Sequence, residues 1–84
     1  GKNCFIGHGA MFTNDKLRNG KINRNSRSFK KTTIGNNVII GSNATLLPVK
    51  IISGVVIGAG SIVTKNINKK GIYAGTPAKL LRKI

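Results

Sequence analysis

Aliphatic residues recur along the chain at intervals of six, and the residues between them repeat in kind. The clearest units are Ile6-Gly7-His8-Gly9-Ala10-Met11, Ile34-Gly35-Asn36-Asn37-Val38-Ile39, Ile40-Gly41-Ser42-Asn43-Ala44-Thr45 and Ile57-Gly58-Ala59-Gly60-Ser61-Ile62, while Ile51 and Val63 open two weaker copies. The fourth position holds Gly9, Asn37, Asn43, Gly54, Gly60 and Asn66, residue types that enter left-handed backbone conformations at least cost. The fifth holds Ala10, Val38, Ala44, Val55, Ser61 and Ile67, small or β-branched as a short strand beside a tight corner requires. Each hexad predicts one short strand and one corner.

Three such sides close a triangular coil. Stacked coils point the first-position aliphatics into one continuous core, and ladder hydrogen bonds run from coil to coil. An amphipathic helix is excluded, because the apolar period is six and the corner residues cost up to about 1 kcal/mol each inside helices. The sequence therefore predicts an all-β solenoid in a single domain spanning 1–84.

The frame breaks twice. From Leu46 to Ile51 the spacing is five, with Pro48 and Val49 between, so one side is a residue short or locally remodelled. Residues 13–33 form an insertion rich in Asn, Arg, Lys and Ser, expected as a loop thrown out from the coil, which leaves the stacking intact. Residues 71–84 are expected to form a turn-rich stretch around Gly71, Gly75 and Pro77, then a short amphipathic helix, Ala78 to Ile84, capping the open end.

With only 84 residues, a lone domain buries about 60–65% of its unfolded surface, so burial against a partner is expected. The formal charge of +14, from 15 basic residues against one acid, favours anionic partners: nucleic acid, anionic membrane or phosphorylated small molecules. The single Cys4 forms no internal disulfide and suits a reducing, cytoplasmic setting; no apolar run approaches the roughly 18 residues of a membrane span. Gly1 reads as a cut inside a longer chain.

The segments IGNNVIIGSNATLLP, VIGAGSIVTKNI and GIYAGTPAKLLRKI resemble the C-terminal coils of the left-handed β-helix hexapeptide-repeat acyltransferases. FIGHGAMFTND with the basic loop after it resembles, more narrowly, the N-acetyltransferases acting on nucleotide-linked amino sugars in surface-polysaccharide pathways. The resemblance implies left-handed winding, a homotrimer with sites in the clefts between neighbouring solenoids, acetyl-CoA as co-substrate and a nucleotide-linked amino sugar as acceptor. The chain departs from the common repeat at Leu46–Lys50, where a Gly after Pro48 is absent, and at Ile52, where Gly is usual.

Acetyl transfer to an amine requires a neutral nitrogen, a positioned thioester and donors for the oxyanion. His8, the only His, stands between two corner glycines and is the side chain that can accept an ammonium proton as general base; the alternative is an exposed corner residue. Asn14 and Asp15, where the insertion begins, either face the bound sugar or form an Asx turn. By resemblance the pantetheine arm passes Gly41, Ser42, Ala59 and Gly60, with the adenine end near Lys65 and Thr76-Pro77. Basic residues gather in the insertion (seven, from Lys16 to Lys31) and the terminal part (Lys65, Lys69, Lys70, Lys79, Arg82, Lys83), where Arg82 and its neighbours can neutralise CoA phosphates. Cys4, beside Phe5 and Ile6, reads as a packing residue.

Two rival functions follow from the same residues. A nucleic-acid module is disfavoured by 5% aromatics and no Trp, which leaves no stacking platform. A metal-dependent solenoid hydratase is excluded on ligand count, because one His cannot supply a three-His zinc site. The expectation is thus an acetyl-CoA-dependent acyltransferase that uses no metal and binds neither nucleic acid nor membrane. Sugar O-acetylation, or a non-catalytic basic solenoid binding polyanions, are the alternatives.

Overall fold

The computed structural model describes residues 1–13 and 32–83. Asn14, Asp15 and the seven basic residues of the insertion lie outside the described residues. Eight short strands come first: β1 (Phe5–Ile6), β2 (Met11–Phe12), β3 (Thr33–Ile34), β4 (Ile39–Ile40), β5 (Thr45–Leu46), β6 (Lys50–Ile51), β7 (Val55–Ile57) and β8 (Ile62–Val63). Two longer strands follow, β9 (Gly71–Gly75) and β10 (Ala78–Arg82). No helix of the described residues is long and apolar enough to cross a membrane.

Up to β9, strands that are neighbours in sequence belong to different sheets, as a coil requires. The sheets run β1-β4-β7-β9-β10, β2-β5-β8 and β3-β6, with every pair up to β9 parallel. Ile67 extends the third side by a single parallel bridge to Ile51. The three sides and the stacked coils are those the six-residue period predicts.

The corner residues take the backbone conformation expected of them at five places: φ is +78° at Gly9, +55° at Asn37, +60° at Asn43, +78° at Gly54 and +70° at Gly60. Asn3, which fills the same position counting back from Ile6, joins them at +57°. Asn66 does not. Its side of the coil is shortened, because Ile67 comes only four residues after Val63 and stacks on first-position Ile51 instead of filling a fifth position. Asn66 acts through its side chain, whose Oδ1 accepts the Lys50 N–H at 2.8 Å and occupies a donor that the tightened backbone does not reach.

The core is built from first and fifth positions together. Ile40, Leu46, Ile51, Ile57 and Val63, with Val38, Ala44 and Val55, are all buried. In the five-residue unit Val49 is 2% exposed, so it fills the fifth-position role one residue early. Ile6, in register with Ile40, is 52% exposed because β1 is paired on one edge only. At the other end of the same column Tyr73 stacks on Ile57, and its hydroxyl donates to the Lys69 carbonyl at 2.7 Å. The ring covers the core while the hydroxyl keeps a polar partner.

The expected C-terminal helix is corrected. Residues 78–82 form β10, antiparallel to β9, with Ala78 opposite Gly75, Lys79 opposite Ala74, Leu80 opposite Tyr73, and a register shift before Arg82 meets Ile72. A seven-residue helix is marginal by itself, since isolated helices shorter than about 12 residues gain too little to offset nucleation. The open edge of β9 offers backbone groups that need partners, and the turn after Gly75 returns the chain to them. Leu80 seals the pairing by lying over Gly71, where any Cβ would come within 2.5 Å of its Cδ1.

Candidate functional site

One corner of the coil, between the β1-β4-β7-β9 side and the β2-β5-β8 side, stacks three like segments: Gly7-His8-Gly9, Gly41-Ser42-Asn43 and Gly58-Ala59-Gly60. The second-position glycines permit this. A Cβ on Gly7 would lie 2.5 Å from the Ser42 nitrogen, and one on Gly41 would lie 2.5 Å from the Ala59 nitrogen. With those atoms absent, the corner carries its own ladder: Gly7 N–H donates to Ile40 O at 2.7 Å, Gly41 N–H to Ile57 O at 2.8 Å and Gly58 N–H to Tyr73 O at 2.7 Å. The Asn43 N–H donates to His8 O and the Gly60 N–H to Ser42 O, both at 2.9 Å.

This ladder places His8, Ser42 and Ala59 one above another at the spacing of adjacent strands, about 4.8 Å, and all three are exposed. Below the imidazole the column is narrow. Ser42, Ala59 and Gly60 bear at most one heavy atom beyond Cβ, and the space around a Cβ on Gly60 is open to 4 Å. A long, thin, flexible ligand can approach the main chain here closely, with a titratable nitrogen at the head of its path.

Sequence-predicted site residues divide by corner. His8, Gly41, Ser42, Ala59 and Gly60 fall on this column. Pro77 follows Gly75, whose N–H donates to Ser61 Oγ at 3.2 Å, so the β9–β10 turn closes the column at its lower end. Lys65 lies elsewhere, on the corner between β8 and Ile67. Arg82 pairs with Ile72 and lies beside Gly71, at the end of the hairpin away from Pro77. Within one chain, neither cation joins the column.

The described cations Lys2, Lys50, Lys65, Lys69, Lys70, Lys79, Arg82 and Lys83 are all exposed. Lys79 is the one in register with Ala74, whose Cβ packs 3.0 Å from a Cβ built on Gly58, and it therefore stands nearest the column's lower end. Cys4 is half-buried against the core, its thiol donating to Gly35 O at 3.2 Å, a packing role. Among the described residues no three His, Cys, Asp or Glu side chains converge as a metal set. Sequence reasoning passed over Ser61, a hydroxyl in a fifth position otherwise held at this corner by Ala10 and Ala44.

The insertion leaves and rejoins the coil at a different corner, between β2 and β3. Thr13 Oγ1 donates to Leu46 O at 3.4 Å and Thr32 Oγ1 to Leu47 O at 3.5 Å. Both roots are thereby fastened to adjacent residues of the next coil.

The hexapeptide repeat of succinyl-transferases matches residues 31–65. The chain is 46% identical over 71 residues to the bifunctional protein GlmU of Wigglesworthia glossinidia brevipalpis, covering 83% of this chain and 13% of that protein. It is 37% identical over 79 residues to the putative lipopolysaccharide biosynthesis O-acetyl transferase WbbJ of Escherichia coli K12, covering 90% of this chain and 40% of that one. A solved galactoside acetyltransferase in complex with coenzyme A superposes with a TM-score of 0.79 at 34% identity, over 99% of this chain and 43% of that chain. The chain thus spans less than half the length of each of them. The likeness to these repeat proteins implies the left-handed winding.

Proposed function

Because the chain belongs to the hexapeptide-repeat acetyltransferase family, we propose that the protein moves an acetyl group from acetyl-CoA to the amine of a nucleotide-linked amino sugar. The observation that carries this is the corner column, in which His8 heads a run of small residues, Ser42, Ala59 and Gly60, with open space beside Gly60. Similarity to a galactoside acetyltransferase solved in complex with coenzyme A supports a coenzyme A-linked donor. Acetyl-CoA supplies the activated acyl group when bound.

The chain's own groups do the rest. An imidazole nitrogen of His8 takes one proton from the ammonium form, so that a neutral amine attacks the thioester carbonyl; as the C–S bond breaks, the second nitrogen proton leaves with the CoA sulfur as free thiol. The narrow corner fixes the donor so that encounter with the amine becomes effectively intramolecular. Asn14 and Asp15 are assigned to the acceptor sugar, whose amine remains cationic until the proton is taken, and the basic insertion to its diphosphate.

The proposal extends to a cytoplasmic homotrimer serving polysaccharide biosynthesis. For self-association the support is an outward apolar column on the β1-β4-β7-β9 side: Phe5 and Ile39 are 63% and 46% exposed and stand in register with Val56 and Ile72. A second copy covers such a face.

The test is steady-state turnover of acetyl-CoA by the full-length protein against a panel of nucleotide amino sugars and their hydroxyl counterparts, followed by free-thiol release. Release with amines alone supports N-acetylation. Similarity to the WbbJ O-acetyl transferase favours a second reading, sugar O-acetylation, which release with hydroxyl acceptors alone would select. No release with any acceptor rejects both and leaves a non-catalytic solenoid.

A further inference from the structure

Among the described residues Ser61 is the only polar side chain buried, at 1% exposure, and it stands in a column otherwise made of alanine. The fifth positions stacked at the His8 corner are Ala10, Ala44 and Ser61. Alanine suffices while one coil lies on the next, because main-chain groups supply the partners, as Asn43 N–H to His8 O and Gly60 N–H to Ser42 O do. Below Ala59 and Gly60 the next element is the β9–β10 turn instead of a further hexad corner. There the Gly75 N–H donates to Ser61 Oγ at 3.2 Å, a side chain standing in for the carbonyl of the regular ladder. Ser61 Oγ also lies 3.5 Å from a Cβ built on Gly58, which places it between the corner and the turn.

We infer that Ser61 is a positioning residue for the acyl donor: its hydroxyl holds the Gly75-Thr76-Pro77 turn against Ala59 and Gly60 and so sets the shape of the path along which the pantetheine arm lies. The inference rests on the donor-site reading proposed above. Ser61 is buried and acts only through the turn. Its hydroxyl is needed at this level of the column and at no other, because only here does a turn replace a coil.

The test compares full-length wild type, Ser61→Ala, Ser61→Cys and Val49→Ala, a core truncation at a different corner. Donor affinity is read by titration calorimetry with acetyl-CoA, and the two Michaelis constants and kcat by thiol release. Loss of one hydrogen bond in Ser61→Ala raises the acetyl-CoA Kd and KM about 3–10-fold, with kcat at saturation and the acceptor KM within about two-fold of wild type. Ser61→Cys, which keeps a weak acceptor, falls between. Val49→Ala lowers the melting temperature and leaves the acetyl-CoA Kd unchanged. An unchanged donor Kd in both Ser61 variants overturns the inference, as does an equal rise in Val49→Ala. Wild type that binds no acetyl-CoA overturns the donor-site reading itself, an outcome separate from equal binding by wild type and variant.

Discussion

Gly41 and Gly60 stand on one corner, at the second and fourth positions of successive coils, yet the coil needs each to be small for a different reason, and replacing them separates the two. A Cβ on Gly41 would lie 2.5 Å from the Ala59 nitrogen and 2.8 Å from both Ala59 Cα and Gly58 C, all main-chain atoms. Ordinary contact begins near 3.4 Å, so the two coils must part by 0.6–0.9 Å at that corner. The ladder bonds Gly41 N–H to Ile57 O at 2.8 Å and Gly60 N–H to Ser42 O at 2.9 Å then stretch toward the limit of hydrogen bonding. Overpacking of about 1–3 kcal/mol and a weakened hydrogen bond of about 1 kcal/mol give Gly41→Ala an expected loss of about 2–4 kcal/mol. Gly60 meets nothing within 4 Å, and its constraint is φ at +70°. Gly60→Ala therefore costs about 1–2 kcal/mol of left-handed strain, and Gly60→Asn costs about 0.5 kcal/mol or less, since Asn37 and Asn43 already sit at such corners. Denaturant midpoints of the full-length variants measure all three. The reasoning fails if Gly41→Ala is no more damaging than Gly60→Ala, or if Asn at position 60 is as damaging as Ala.

His8→Ala lowers kcat by about 10²–10⁴ if the imidazole is the base, with acetyl-CoA affinity unchanged; undiminished turnover removes His8 from the chemistry. Tyr73→Phe leaves the ring over the core but frees the Lys69 carbonyl, for an expected loss of about 1 kcal/mol in denaturant unfolding; a loss as large as that of a core cavity would mean the ring itself had moved. Lys79, at the column's lower end, is expected to matter to the donor's phosphates more than Arg82 at the far end of the hairpin. Lys79→Gln should raise the acetyl-CoA KM several-fold more than Arg82→Gln, and the reverse order would place the phosphates beside Gly71.

The repeat was legible because its requirements are local. A corner that must enter positive φ admits Gly or Asn, and a position facing a narrow core admits small or branched residues, so both leave a mark every sixth residue. Asn66 shows where local reading stops: it is the same residue type in the same frame, yet the coil had already been shortened by the four-residue step from Val63 to Ile67. That step follows from three-dimensional closure onto Ile51, which no window around Asn66 contains. The tail failed for a related reason. Ala78 to Ile84 carries an amphipathic pattern that suits a helix, but the free edge of β9 is a partner created by distant residues.

The candidate site divides along the same line. His8 is a candidate base on its own chemistry, while Ser42 and Ala59 enter together through the resemblance; that all three stack follows from the register that Gly7 and Gly41 enforce through close approach. Charge told less. Fifteen cations against one acid announce an anionic partner but do not say where it binds, because a solvated Lys satisfies the fold at any outward position. The structure therefore discriminates among cations that composition treats alike, separating Lys79, near the column, from Lys65 and Arg82, which face other corners. Ser61 is the converse case. A serine is unremarkable in a turn-rich repeat, and its isolation in an alanine column acquires meaning only once the coil above and the hairpin below are known to meet there. Residues whose work is to satisfy the coil can be read from one hexad, whereas those that join the coil to something else need both sides of the junction.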